Sequence, residues 1–191
     1  MNGAEYILAV EDSLDDQLLD CNEEDNSFDR IYVKWVDMMN RADNLYKGVT
    51  VCNRWKKYEY FKEDIVKIEN HHMITWHMDK DLLSPKDKLI YSPNTVCFLP
   101  SEINLELCKR GYIKNWKKLP YTKYDKNKGW YSSVRLKEQD VINYFEEDIF
   151  AFLEAREIKY KYLMKLVDKY ENILPSHVIK ELRSYKIGFD H

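Results

Sequence analysis

Apolar positions along this chain change their spacing several times, and each change marks a predicted element. From Ile31 to Tyr46, apolar side chains fall at Ile31, Trp35, Met38, Met39, Ala42 and Leu45. Steps of three and four put them on one helical face, with Asp29 as the predicted cap. Gly48 interrupts the pattern, and Val49–Cys52 reads as a brief extended piece. Asn53 is placed to cap a second helix through Trp55, Tyr58, Phe61 and Ile65. Upstream, Ala4–Val10 is a strand candidate, and the acidic run after it carries Leu14, Leu18 and Leu19 at helical spacing before a turn at Asn26–Ser27.

The middle of the chain reads differently. Met73–Met78 and Thr95–Leu99 are predicted strands, separated by a polar loop containing Ser84–Pro85 and a turn at Ser92–Pro93–Asn94. Pro100 then opens a helix bearing Ile103, Leu105 and Leu107, since proline is tolerated in a first helical turn. The order is strand, loop, strand, helix. Tyr121–Tyr124 and Trp130–Leu136 flank a turn at Asp125–Gly129 and predict a hairpin. Val141, Phe145, Ile149, Phe152, Leu163, Leu166, Val167 and Tyr170 predict one long helix from Glu138 to Tyr170, or two with a joint near Arg156–Lys159. Pro175 opens a last helix with Val178, Leu182 and Tyr185.

Composition adds few constraints until charge is mapped. The net charge of −3 is unremarkable, but its distribution is not. Met1–Arg30 holds ten acids against one base, whereas Cys108–Lys137 holds ten bases against Asp125 alone. A basic hairpin of this kind suits a polyanion, and an acidic arm could shield it, bind elsewhere, or simply be solvated. Fifteen tyrosines suit core packing first, with base stacking as the alternative. Cys21, Cys52, Cys97 and Cys108 have no metal-ligand spacing and predict free thiols in a reducing, cytoplasmic setting, with no membrane partner expected.

Four blocks follow one another along the chain. The first is Tyr32 to Arg41, with a W-x-x-M-x-x-R pattern at Trp35, Met38 and Arg41. The second is Tyr46 through Cys52 and Trp55 to Phe61. The third is Asp79-Lys80-Asp81-Leu82-Leu83, then Tyr91-Ser92-Pro93-Asn94-Thr95 through Cys97 and Pro100 to Ile103-Asn104. The fourth runs from Leu119-Pro120 to Leu174-Pro175 and Leu182. In this order the four blocks resemble phage-encoded HNH-type homing endonucleases carrying a degenerate Apetala-type DNA-binding module.

The resemblance implies an α+β fold with a divergent ββα-metal core, flanking helices, a basic β-hairpin and a C-terminal helical layer. It implies an acidic arm at 1–30, the HNH-like core with its preceding helices at 31–110, and the hairpin with C-terminal helices at 111–191. His77, Asp79, Asn94 and Asn104 become the candidate catalytic residues, with Asp79 and Asp81 as ligands for a divalent metal such as magnesium. Hydrolysis of a phosphodiester needs a base to activate water and a hard cation at the developing charge. The position matched to the catalytic histidine is, however, Lys80, so cleavage is expected to be lost and no cofactor to be needed. Without chemistry, His77 is a structural histidine, Asp79 and Asp81 pin the loop, and Asn94 and Asn104 hold the ββα unit together. Lys114, Lys117, Lys118, Lys123, Lys126, Lys128, Trp130 and Arg135 are the candidate contacts to double-stranded DNA, with interleaved aromatics for stacking. The family's glycine after Leu-Pro is Tyr121 here. Two rival functions follow: an active metal-dependent nuclease, or a phage protein that binds and inhibits a host defence protein with the acidic arm mimicking nucleic acid.

Overall fold

The computed structural model describes residues 27–45, 48–85, 88–107, 119–136 and 139–186. The predicted elements within 1–26 and the candidate contacts Lys114, Lys117 and Lys118 lie outside the described residues. The protein mixes helices with small sheets and divides into two compact units. Among the described residues, one holds those from Ser27 to Asn104 and from Ile173 to Leu182, and the other holds those from Leu105 to Asn172 and from Arg183 to Lys186. Among the described residues no helix is long and apolar enough to cross a membrane.

The first unit begins with α1 (Ser27–Asn40), which passes into a π-helical turn over Arg41–Leu45. Asp29 lies inside α1 rather than capping it, because the helix starts two residues earlier at Ser27. The predicted second helix is broken in two: a 3₁₀ turn over Arg54–Lys56, then α2 (Tyr58–Ile65). Lys57 is extended (φ −105°, ψ 127°), and Asn53 makes no side-chain cap bond. What fixes this break is Trp55. Its fully buried ring meets Phe61 edge-on at 5.0 Å, while its Nε1 donates to Asp64 Oδ2 at 3.1 Å and its carbonyl accepts from Trp35 Nε1 at 2.8 Å. Arg54 Nε also donates to Asp64 at 2.6 Å, and this partner holds the Asp64 carboxyl below the usual range.

Two short pairings complete the unit. The two-residue strand β1 (Thr50–Val51) runs parallel to β3 (Ile90–Tyr91). Strand β2 (Trp76–Asp79) runs antiparallel to β4 (Cys97–Pro100), and α3 (Ser101–Leu107) follows directly. Ile103 and Leu107 are buried in α3, but Leu105 is 61% exposed. Residues two apart lie on opposite sides of a helix, so Leu105 could not share their face. The segment Ile173–Leu182 belongs here too: buried Asn70, in the left-handed region at φ 64°, donates through Nδ2 to the Ile173 carbonyl at 3.1 Å.

The second unit is a three-stranded antiparallel sheet, β5 (Thr122–Asp125), β6 (Gly129–Leu136) and β7 (Gln139–Phe145), covered on one face by α4 (Asp148–Lys169). The hairpin was expected; the third strand was not. Val141 and Phe145 are four apart, a spacing that satisfies a helical step and two strand alternations equally well. In the fold QDVINYF is a strand, paired with β6 along its whole length. No joint occurs near Arg156–Lys159, and α4 is continuous through it. A final helix, α5, spans Ser176–Ser184.

Two turn positions carry backbone constraints. Tyr121 sits in the left-handed region at φ 62°, a conformation that costs a non-glycine residue roughly 1 kcal/mol. Its carbonyl accepts from Ser133 N at 2.8 Å and extends the β5–β6 ladder. At the β5–β6 turn, Asp125 Oδ1 accepts from the N–H groups of Asn127 and Lys128 at 2.8 and 3.1 Å. Gly129 then has φ +87°, and a Cβ there would meet the Phe145 carbonyl oxygen at 2.9 Å. Gly129→Ala should therefore destabilise the protein by about 1–3 kcal/mol, read as a lower thermal midpoint. An unchanged midpoint would show that the turn relaxes without loss.

Candidate nucleic-acid interface and ββα site

The ββα order predicted from the sequence is present in the first unit as β2, β4 and α3. Alternation in β2 puts Trp76 and Met78 on one face and His77 and Asp79 on the other. His77, exposed, is joined to Asn104 of α3: Asn104 Nδ2 donates to His77 Nδ1 at 3.0 Å. His77 Nδ1 is thus engaged by the Asn104 side-chain amide, and the ring tautomer sets which of the two donates. Asn94 lies in the exposed turn after β3 and is not brought to His77 by any described bond.

The two candidate metal ligands are engaged by the protein itself. Asp79 Oδ1 accepts from the Leu82 N–H at 2.9 Å, and Asp81 Oδ1 accepts from Lys80 Nζ at 2.7 Å. Lys80 is only 7% exposed, and its ammonium also lies 5.1 Å from the centre of the Tyr91 ring. A buried ammonium thus supplies the positive charge that a divalent ion would bring to Asp81. Among the described residues no group of three or more His, Cys, Asp or Glu side chains could hold a metal ion.

Burial sets the electrostatics of this corner. It pushes the Asp79 carboxyl up to about 6, opposed by the Leu82 N–H and reinforced by the negative Asp81. It raises the Cys97 thiol, which faces Asp79 across the β2–β4 pair, and the Tyr91 hydroxyl, against the pull of Lys80 and Arg41. The folded-state value of Asp79 lies above that of an unfolded aspartate. Its contribution to stability is therefore complete below about pH 4 and is lost as pH rises through about 6. Asp79→Asn stays neutral throughout and should gain on the wild type between about pH 4 and 7, by on the order of 1–3 kcal/mol in urea unfolding. A difference that does not vary with pH would show that Asp79 ionises in the folded state without penalty.

In the second unit, strand alternation sorts the basic segment into two faces. Thr122, Ser132, Val134, Leu136 and Val141 lie on the face toward α4, where Asn143 Nδ2 donates to Glu154 of that helix at 3.2 Å. Trp130 belongs to this same face, half-buried, with its ring 5.2 Å from that of Tyr124. The open face carries Lys123, Tyr131 and Tyr144 in one cross-strand row, Ser133 and Ile142 in the next, and Arg135 opposite Asp140 in the third. Lys126 and Lys128 are exposed on the turn, and Lys128 Nζ sits 5.0 Å from the centre of the Tyr144 ring.

The predicted residues therefore fall into two separate groups, one per unit. The ββα site gathers His77 with Asn104 and, separately, Asp79 to Asp81; the sheet gathers Lys123, Lys126, Lys128 and Arg135. Sequence reasoning missed Tyr144, because its strand had been assigned to the long helix. The period-two alternation of Asp140, Ile142 and Tyr144 against Val141, Asn143 and Phe145 was the signal that could have found it. Compared with known proteins, the chain matches no family model, no curated protein and no solved structure.

Proposed function

We propose that this protein binds DNA through the basic open face of its three-stranded sheet and is a relative of phage HNH-type homing endonucleases that has given up cleavage. The observation that carries the reading is that sheet face, with Lys123, Arg135 and the turn lysines Lys126 and Lys128 exposed along one side. Exposed cations on a rigid sheet meet phosphates, and release of condensed counterions drives that association. The ββα site supports the second half of the reading. Lys80, at the position matched to the catalytic histidine, is buried and paired with Asp81, and His77 is held by the Asn104 side chain.

Mobility shift with duplex DNA across a salt series, together with plasmid nicking with and without magnesium, tests both halves. Binding should weaken steeply with salt, and nicking should be negligible. Magnesium-dependent nicking that His77→Ala abolishes would replace this reading with an active nuclease. A protein that binds no DNA even at low salt would favour instead a partner of protein chemistry.

A further inference from the structure

The open sheet face is chemically uneven, and the unevenness bears on which form of DNA it takes. Proteins that read a duplex through its major groove need side chains that hydrogen-bond to base edges, above all arginine, asparagine and glutamine. The central rows here hold none of these. They present Lys123, Tyr131, Tyr144, Ser133 and Ile142, and Arg135, the one arginine of the face among the described residues, is at its end, 3.9 Å from Asp140. Tyr144 is 44% exposed and Ile142 is 47% exposed, so the centre of the face is apolar and accessible. The rings of Tyr131 and Tyr144 lie 5.4 Å apart at 43°, flanked by the Lys123 and Lys128 side chains.

From this we infer that the Tyr131–Tyr144 pair is a stacking platform for the bases of single-stranded DNA, with Lys123 and Lys128 holding the adjoining phosphates. This rests on the nucleic-acid reading given above. The physical reason is access. In a duplex each base has its faces covered by its neighbours, so an aromatic ring on a flat sheet can meet only backbone and groove. In a single strand the faces are free, and stacking on an aromatic ring adds to the phosphate attraction whatever the sequence. Of the other aromatics of the described basic segment, Tyr124 and Trp130 belong to the α4 side of the sheet and Tyr121 meets Lys159 of α4, so none takes part.

The test uses the full chain, fluorescein-labelled oligothymidine and a labelled duplex of equal length, titrated at two salt concentrations. The single strand should bind more tightly than the duplex. Tyr131→Leu/Tyr144→Leu should weaken oligothymidine binding roughly ten-fold or more while leaving duplex binding within about two-fold. Tyr131→Phe/Tyr144→Phe keeps the rings and should restore single-strand affinity. Tyr144→Leu alone, on an exposed edge-strand position, gives the same direction of change if the double variant fails to fold. A duplex bound as tightly as the single strand, or an equal loss on both probes, overturns the platform and leaves phosphate binding standing. Failure of the wild-type protein to bind either probe overturns both this inference and the proposed function.

Discussion

Reversing Lys123, Lys126 and Lys128 to glutamate together should lower duplex-DNA affinity by at least about ten-fold at low salt and flatten its salt dependence. Each phosphate contact contributes roughly 0.9 to the slope of log affinity against log salt, so loss of three should reduce it by nearly three units. The side chains meet the requirements for this. All three are exposed, two lie on or beside the β5–β6 turn, and Lys123 is in register with Tyr131 on the uncovered face. Folding should hardly notice. Exposed lysines make small contributions, and among the described residues the interaction given up is the Lys128 contact with the Tyr144 ring, about 0.5–1 kcal/mol at an exposed site. Unchanged DNA affinity would remove the turn from the interface. A thermal midpoint that collapses would show instead that these stems support the sheet.

Lys159→Ala should be among the most destabilising single substitutions in the protein, by about 3–5 kcal/mol. Lys159 of α4 forms an ion pair with Glu106 of α3, and both side chains are only 11% exposed. Its ammonium also lies 5.2 Å from the centre of the Tyr121 ring. Removing the lysine strands the Glu106 carboxylate away from water with no compensating charge, and opens a gap where the four-carbon stem packed. Against a total stability typically of 5–15 kcal/mol, such a loss is severe. Lys159→Met with Glu106→Gln removes both charges at similar volume and should recover most of the loss in chemical denaturation. If the double variant is no better than Lys159→Ala, packing rather than the stranded charge explains the defect. If Lys159→Ala loses less than about 1 kcal/mol, water reaches the pair well enough to replace it.

The same residue bears on the long helix, which the sequence left open as one helix or as two with a joint near Arg156–Lys159. Lys159 is buried at an inward position of α4. Glu106, fifty-three residues away in sequence, neutralises it, and the helix runs through. Pairing at that separation cannot be read from local pattern. The break between Arg54–Lys56 and α2 has a comparable origin: Trp55 is held by Trp35 and Asp64 together, and these contacts outweigh the helical spacing of its neighbours.

What the sequence by itself determined was therefore whatever local chemistry dictates. The ββα order, the hairpin around Asp125–Gly129 and the break at Gly48 followed from periodicity, turn residues and breakers, which act over a few positions. The charge map, too, was complete before any fold was known. Tertiary structure decided the rest. It chose strand over helix for Gln139–Phe145, because β6 offers an unpaired edge and α4 an apolar cover. It turned Lys80 inward onto Asp81 and Tyr91, and gave His77 to Asn104. It also divided the aromatic residues of the basic segment, leaving Tyr131 and Tyr144 on the open face and Trp130 on the other. Which face a strand presents to water depends on what packs against it, and that is a property of the assembled sheet and helix rather than of either segment alone.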